Sequence, residues 1–195
     1  MMGGVGAVVL AAGSASRMGR PKQTLKFQGQ SLIRRAALAA VGGGCSPVIV
    51  VTGAYAEASS RELDGLKVRI AYNSQWATGI ASSIRTGLGT LLAEDANAAA
   101  VVILLCDQPH VTADIVSQLS EAYRATRSHI VASGYGGSFG VPALFARPFF
   151  DALSELEGGA GAKQLIEQYS AEVHVLPFRD GEVDLDTSDD FSRLV

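Results

Sequence analysis

Short runs of apolar, mostly β-branched residues alternate with longer stretches of helical periodicity along nearly the whole chain. No other feature constrains the fold as strongly. Val5 to Ala11 is a continuous apolar run that ends at Ala12-Gly13. Pro47 to Thr52 (PVIVVT), the alternating Lys67 to Ala71 (KVRIA), Ala99 to Cys106 (AAVVILLC) and the shorter Ile130 to Ala132 follow it. Unbroken runs of this length suit strands buried on both faces. Helical patterns fall between them: Ser31 to Val41 with Ser31 as N-cap, Ala56 to Leu63, Ile80 to Leu92, Thr112 to Thr126 with Thr112 as N-cap, Pro148 to Leu156, Ala162 to Tyr169 and Ser188 to Leu194. The alternation predicts an α/β fold, a doubly wound and mostly parallel sheet with right-handed crossovers and helices on both faces, in three layers α/β/α. Residues 134–146 (GYGGSFGVPALFA) interrupt the pattern and read as an inserted hairpin over one side of the site. With no repeat, low-complexity tract or long linker, residues 1–195 read as a single domain.

Composition narrows the function classes. With 48% hydrophobic residues the chain can bury a real core. Its formal net charge of -3 offers no general basic face for nucleic acid. No apolar run approaches the ~18 residues of a membrane span. The first apolar run has no basic residue before it, which makes it a buried strand rather than a signal peptide. Cys45 and Cys106 form neither a disulfide framework nor a CxxC zinc pattern, and read as small buried hydrophobes in a reducing cytoplasm. The 22 glycines exceed ordinary usage of ~7% and imply tight turns close to a ligand.

In open parallel sheets ligands sit beyond the carboxyl ends of the strands. Three of those points are marked here. After the first strand comes Leu10-Ala11-Ala12-Gly13-Ser14-Ala15-Ser16-Arg17-Met18-Gly19-Arg20-Pro21-Lys22. It contains no GxGxxG fingerprint and no Walker A loop. Its small residues allow backbone N–H groups to approach a phosphate, Arg17 offers a planar fork to phosphate oxygens, and Lys22 offers a compact charge. A solvated surface loop is the alternative. Asp107 follows the apolar run that ends at Cys106, where a carboxylate suits a hard cation or caps the next helix, and Pro109 sets the turn. After the third strand, Gly79 opens a helix and leaves its first N–H groups without intrahelical partners, while Ser82 and Ser83 bring small hydroxyls for a base edge. Trp76 reads more readily as packing than as a stacking platform. His110 lies near Asp107, His129 and His174 flank strands, and no Ser/His/Asp or Cys/His arrangement supports acyl-enzyme chemistry.

LAAGSASRMGRPK resembles the LAAGxSxRMGxxK signature of the MobA-like nucleotidyltransferases, whose members attach a nucleotide to molybdopterin. The Asn73 to Ser83 stretch is similar to the family's NxxWxxGxxxS segment, CDQP to its metal motif in the cytidylyl-like branch, and Asp184-Leu185-Asp186-Thr187-Ser188-Asp189-Asp190 to its DIDTPEDY-type ending. The resemblance implies a Rossmann-like nucleotidyltransferase fold. It also implies a nucleoside triphosphate held by Leu10, Ala11, Ala12 and Gly13, with Arg17 and Lys22 on its phosphates and Asn73, Gly79, Ser82 and Ser83 near the base. Mg²⁺ would be held by Asp107 and Asp186, with Asp184 a weaker candidate. Gly158 to Lys163 departs from the family's GDxGAR, with Gly159 for Asp and Lys163 for Arg, and Val141 stands where the molybdopterin enzymes often carry a polar residue.

The implied reaction is Mg²⁺-dependent transfer of CMP from CTP to a phosphorylated small molecule, molybdopterin by resemblance, with release of pyrophosphate. Arg17, Lys22 and Asp107 would carry the catalysis. The alternatives are a guanylyltransferase using GTP and a non-catalytic nucleotide-binding accessory protein. A molybdoenzyme or its chaperone is the implied protein partner.

Overall fold

The computed structural model describes residues 4–14 and 21–183, except for the side chain of Glu182. Arg17, Asp184, Asp186 and the expected Ser188–Leu194 helix therefore lie outside the described residues. Within them, β1 (Val5–Ala11), β4 (Val48–Thr52), β5 (Arg69–Tyr72), β6 (Ala100–Leu105), β7 (Ile130–Tyr135), β8 (Ser138–Ala146) and β9 (Val173–Pro177) form a seven-stranded sheet. Its order is β5-β4-β1-β6-β8-β7-β9, and every pairing is parallel except those of β8. A small antiparallel ribbon of β2 (Lys26–Phe27) and β3 (Gln30–Ser31) follows the loop after β1.

Period-two alternation assigns each strand's side chains to two cores. Val8 and Leu10 of β1, with Ile49, Val51 and Ile103, pack against Ile84, Leu88 and Leu91 of α3 (Ile80–Glu94), Leu153 of α5 (Phe150–Ser154) and Leu165 of α6 (Ala162–Gln168). Ala7 and Val9, with Val50 and Leu104, pack instead against Ile33 and Ala37 of α1 (Leu32–Gly42) and Val116 and Leu119 of α4 (Ala113–Thr126). The short α2 (Ala56–Glu62) follows β4. The sheet is thus a middle layer between two helical layers, the three-layer α/β architecture expected. α3 lies close on the sheet because Gly87 turns no side chain toward it: a Cβ there would stand 2.3 Å from a methyl of Val8.

The 134–146 segment differs from the expected inserted hairpin. β7 and β8 do form a hairpin, turning through Gly136 and Gly137 at φ 55° and 75°, but β8 is an integral sheet strand between β6 and β7. Its alternation sends Val141, Ala143 and Phe145 to the α3 core and Leu144 to the α1 core. No apolar run marks β9, although His174 reads as flanking a strand. It is an edge strand with partly exposed residues, so it carries no continuous apolar run. The expected Pro148–Leu156 helix is a 3₁₀ turn at Arg147–Phe149 followed by α5. Thr112 caps α4 by accepting the Ile115 N–H at 3.4 Å. Ser31 occupies the cap position of α1, but its hydroxyl makes no cap bond.

Candidate active site

Because β1, β4 and β6 run parallel, their carboxyl ends open on one edge of the sheet. There, Leu10, Ala11, Ala12 and Gly13 from the end of β1, Lys22, Trp76, Gly79 and Ser83 around the start of α3, and Cys106 and Asp107 after β6 line one cavity of about 360 Å³. Residues far apart in sequence meet in its wall. Lys22 Nζ donates to Asp107 Oδ2 at 2.5 Å, and both side chains are mostly buried, at 17% and 14% exposure. The second carboxylate oxygen, Asp107 Oδ1, is buried and has no hydrogen-bond partner among the described residues.

A residue that sequence reasoning missed holds the loop after β1. Gln23 is buried, and its Nε2 donates to the carbonyls of Ala11 at 3.1 Å and Gly13 at 2.6 Å. These bonds occupy the two carbonyls and fix the loop at the cavity wall, which Gln23 also lines. A glutamine just after a lysine gives no periodic signal, so only its tertiary partners reveal the role.

The turn that carries Asp107 is held from three sides. Gln108 Nε2 donates to the carbonyls of Val141 and Gly181, both at 3.0 Å. The Arg35 guanidinium of α1 donates to the Pro109 carbonyl at 3.0 Å and stacks 4.9 Å over the Phe27 ring. His110 stands edge-on to that same ring, with centroids 5.6 Å apart, so it packs the turn.

Asn73 and Ser82 do not line the cavity. Asn73 is buried, with Nδ2 donating to Ser82 Oγ at 2.8 Å and Ser83 Oγ at 3.0 Å and with Oδ1 accepting the Gln75 N–H at 2.9 Å. Ser82 Oγ lies within bonding distance of the Gln75 and Gly79 carbonyls. The pair braces the end of β5 against the start of α3, and leaves Ser83 as the serine of that pair in the wall. The N–H groups expected to be open at this helix start are partly taken, that of Ala81 by the Gly158 carbonyl at 3.2 Å and that of Gly79 by Trp76 at 3.3 Å. Trp76 both packs on the core and lines the cavity.

Burial pushes the Cys106 thiol far up, and the adjacent Asp107 adds to the shift. It stays protonated at neutral pH and is no nucleophile. Among the described residues no three His, Cys, Asp or Glu side chains gather into a metal site. Asp107 nevertheless suits a hard cation, since its unpartnered buried oxygen is the donor type Mg²⁺ takes. Among the described residues no helix is long and apolar enough to cross a membrane.

Similar proteins match most of the chain. Nicotine blue oxidoreductase of Paenarthrobacter nicotinovorans is 32% identical, over 96% of this chain and 95% of its own. A probable molybdenum cofactor guanylyltransferase of Mycobacterium ulcerans is 30% identical over 71% of this chain and 66% of its own. The crystal structure of Rv0371c from Mycobacterium tuberculosis superposes with a TM-score of 0.84 at 27% identity, covering 100% of this chain and 98% of that one. The same protein in complex with manganese gives a TM-score of 0.78 at 27% identity and the same coverage. Residues 7–173, which span the β1 loop, the start of α3 and the Asp107 turn, match the MobA-like NTP transferase domain, and the chain belongs to that family.

Proposed function

We propose that the protein is a Mg²⁺-dependent nucleotidyltransferase that moves CMP from CTP to the terminal phosphate of a phosphorylated acceptor, molybdopterin, and releases pyrophosphate in the cytoplasm. The observation that carries the reading is the meeting of Lys22 and Asp107 beside the Leu10–Gly13 loop in one cavity. Relatives in the family bear names as different as nicotine blue oxidoreductase and molybdenum cofactor guanylyltransferase, so the reading rests on the groups in the cavity. The guanylyltransferase names favour GTP as the second reading.

An acceptor phosphate is already an anion at neutral pH, so the attack needs no general base. That agrees with the packing of His110, the histidine nearest Asp107 in sequence, against the Phe27 ring. The backbone of Leu10–Gly13, with the Ala11 and Gly13 carbonyls bonded by Gln23, receives the triphosphate. Lys22 exchanges its bond to Asp107 for the phosphates and offsets charge on the departing pyrophosphate, and Arg17 does the same from the loop. Asp107 and, by resemblance, Asp186 would hold the metal, which would supply charge neutralisation at the phosphates; the manganese complex of Rv0371c supports a divalent ion. Gly79 and Ser83 face the base, with Asn73 and Ser82 behind them. A molybdoenzyme or its chaperone is the expected recipient of the product.

Equilibrium binding of CTP, GTP, ATP and UTP with Mg²⁺, followed by pyrophosphate release with phosphorylated acceptors, tests the proposal. CTP should bind up to a hundredfold more tightly than GTP, about 2.7 kcal/mol. Asp107→Asn should lose tight Mg²⁺-dependent binding while remaining folded. Tighter GTP binding moves the protein to the guanylyl reading. Binding without pyrophosphate release under any acceptor makes it a nucleotide-binding module.

A further inference from the structure

The segment between Lys22 and α1 is short and tied to itself. The Leu25 N–H donates to the Lys22 carbonyl at 3.1 Å, and the Leu32 N–H to the Leu25 carbonyl at 2.9 Å. Between those bonds, Phe27 of β2 faces Gln30 of β3 across a turn through Gln28 and Gly29, at φ 50° and 83°. The place of the Phe27 ring therefore follows the place of Lys22. On the other side of the site, Pro109 stands two residues after Asp107, so its carbonyl follows the carboxylate. One side chain touches both followers. The Arg35 guanidinium lies 4.9 Å over the Phe27 ring and donates from Nη2 to the Pro109 carbonyl at 3.0 Å.

This cation is an expensive way to pack a junction. Arg35 is half-buried, and burial lowers its pKa. Among the described residues it has no carboxylate partner, and its Nε is buried without a hydrogen-bond partner. It also shares a shallow hollow with Thr112 and Ala113 at the N-terminus of α4, the positive end of that helix dipole. Arg34 next to it meets none of these costs: its Nη1 reaches the Glu62 and Asp64 carbonyls at the edge of α2, at 2.8 and 3.1 Å. An apolar side chain of similar length fills a site like that of Arg35 at equal or better stability. What the guanidinium alone supplies is a flat cation that stacks on a ring and donates in its own plane at the same time.

We propose that Arg35 is a positioning residue that sets the separation of Lys22 and Asp107 by clamping the Phe27 ring to the Pro109 carbonyl. Arg35 does not line the cavity, so it acts through the pair and not on a ligand. The inference rests on the nucleotidyltransferase reading for the reaction that the pair serves. It adds a residue outside the cavity on which the geometry of that reaction depends.

Arg35→Met keeps an unbranched side chain on the ring and removes both the charge and the bond to Pro109. Urea denaturation of the full chain should give a midpoint equal to or above that of the wild type. Acetylation by an N-hydroxysuccinimide ester, read by mass spectrometry, should show the opposite sign at the pair. Lys22, 17% exposed, should react at least about threefold faster in the variant than in the wild type, with Lys163, 56% exposed, as internal standard. In pyrophosphate release, kcat should fall about tenfold or more while KM for the NTP stays within about threefold. Arg35→Lys restores charge without the planar fork, and should match Arg35→Met in labelling and kcat. Unchanged Lys22 labelling overturns the proposal at any unfolding midpoint, as does an unchanged kcat where the wild type turns over. Should Arg35→Met fail to fold, Phe27→Leu removes the ring face and leaves the bond to Pro109. It should also speed Lys22 labelling, and an unchanged rate overturns the proposal. No pyrophosphate release by the wild type sinks the nucleotidyltransferase reading alone, and the labelling still decides the clamp.

Discussion

Lys22 and Asp107 lie 85 residues apart in sequence, and their bond joins the loop after β1 to the turn after β6. In the absence of nucleotide, each satisfies the other's charge. In the proposed reaction a triphosphate would bring several negative charges to the same place, and Lys22 would then have a stronger partner than one carboxylate. On that proposal, Lys22 would matter most when charge accumulates on the leaving group. Lys22→Ala should therefore lower kcat about a hundredfold or more, on the order of 2–4 kcal/mol, and weaken NTP binding less. Steady-state kinetics beside calorimetric NTP titration separate the two effects, and near-normal turnover would remove Lys22 from the mechanism. The pairing itself was not legible in the sequence. A lysine at the end of a Gly/Ser loop and an aspartate at the end of an apolar run each suggested phosphate or metal chemistry, but their contact depends on β1 and β6 being neighbours in the sheet.

At the scale of elements, the start of α3 is joined to the segment before α6. Gly79 has φ 118°, a conformation that suits glycine, and a Cβ on it would stand 2.1 Å from the Gly158 carbonyl oxygen. That carbonyl also accepts the Ala81 N–H. Gly79→Ala should therefore destabilise the protein by roughly 2 kcal/mol or more, from backbone strain and overpacking together. Because Gly79 and Ile80 line the cavity proposed to take the nucleotide, the same change should weaken NTP binding. Urea denaturation and NTP titration of the variant check both effects. An unaltered unfolding midpoint would mean that the 158 segment yields freely. The role expected of Gly79 from sequence was a helix start with open donors. The structure keeps the helix start, and adds a docking surface that no single segment could reveal.

Over the whole molecule, the two thiols report how completely the layers around the sheet exclude water. Burial pushes the Cys45 thiol up to about 12 from an ordinary value of 9.0, and moves Cys106 in the same direction. Both are protonated in the folded state well past the pH at which an unfolded thiol ionises. The unfolded chain therefore gains thiolate as pH rises through about 9, and stability falls with each further step until the folded-state values are reached. The melting temperature should drop between about pH 9 and 11 more steeply in the wild type than in a Cys45→Ala/Cys106→Ala variant. Parallel curves would mean that the thiols are open to water. Native protein should also resist alkylation by iodoacetamide at pH 8.

The runs at Val5–Ala11, Val48–Thr52 and Ala100–Leu105 were readable as strands because a strand covered on both faces needs apolar residues at every position. The loops after them were readable as the site because parallel strands deliver their carboxyl ends to one edge. These features depend on local pattern, so the sequence determined the layer architecture and the segments that bear the site by itself. β9, a half-exposed edge strand, lacks such a pattern, and β8 appeared as an interruption because its antiparallel course breaks the helix–strand rhythm. Only the tertiary structure decided that Lys22 bonds Asp107, that Gln23 bonds the loop carbonyls, that Asn73 bonds Ser82 at the start of α3, and that Gln108 Oε1 is buried with no partner among the described residues. Each of these is a polar contact between segments distant in the chain. A polar side chain carries no mark of whether its partner is water, backbone or ligand until folding removes the water.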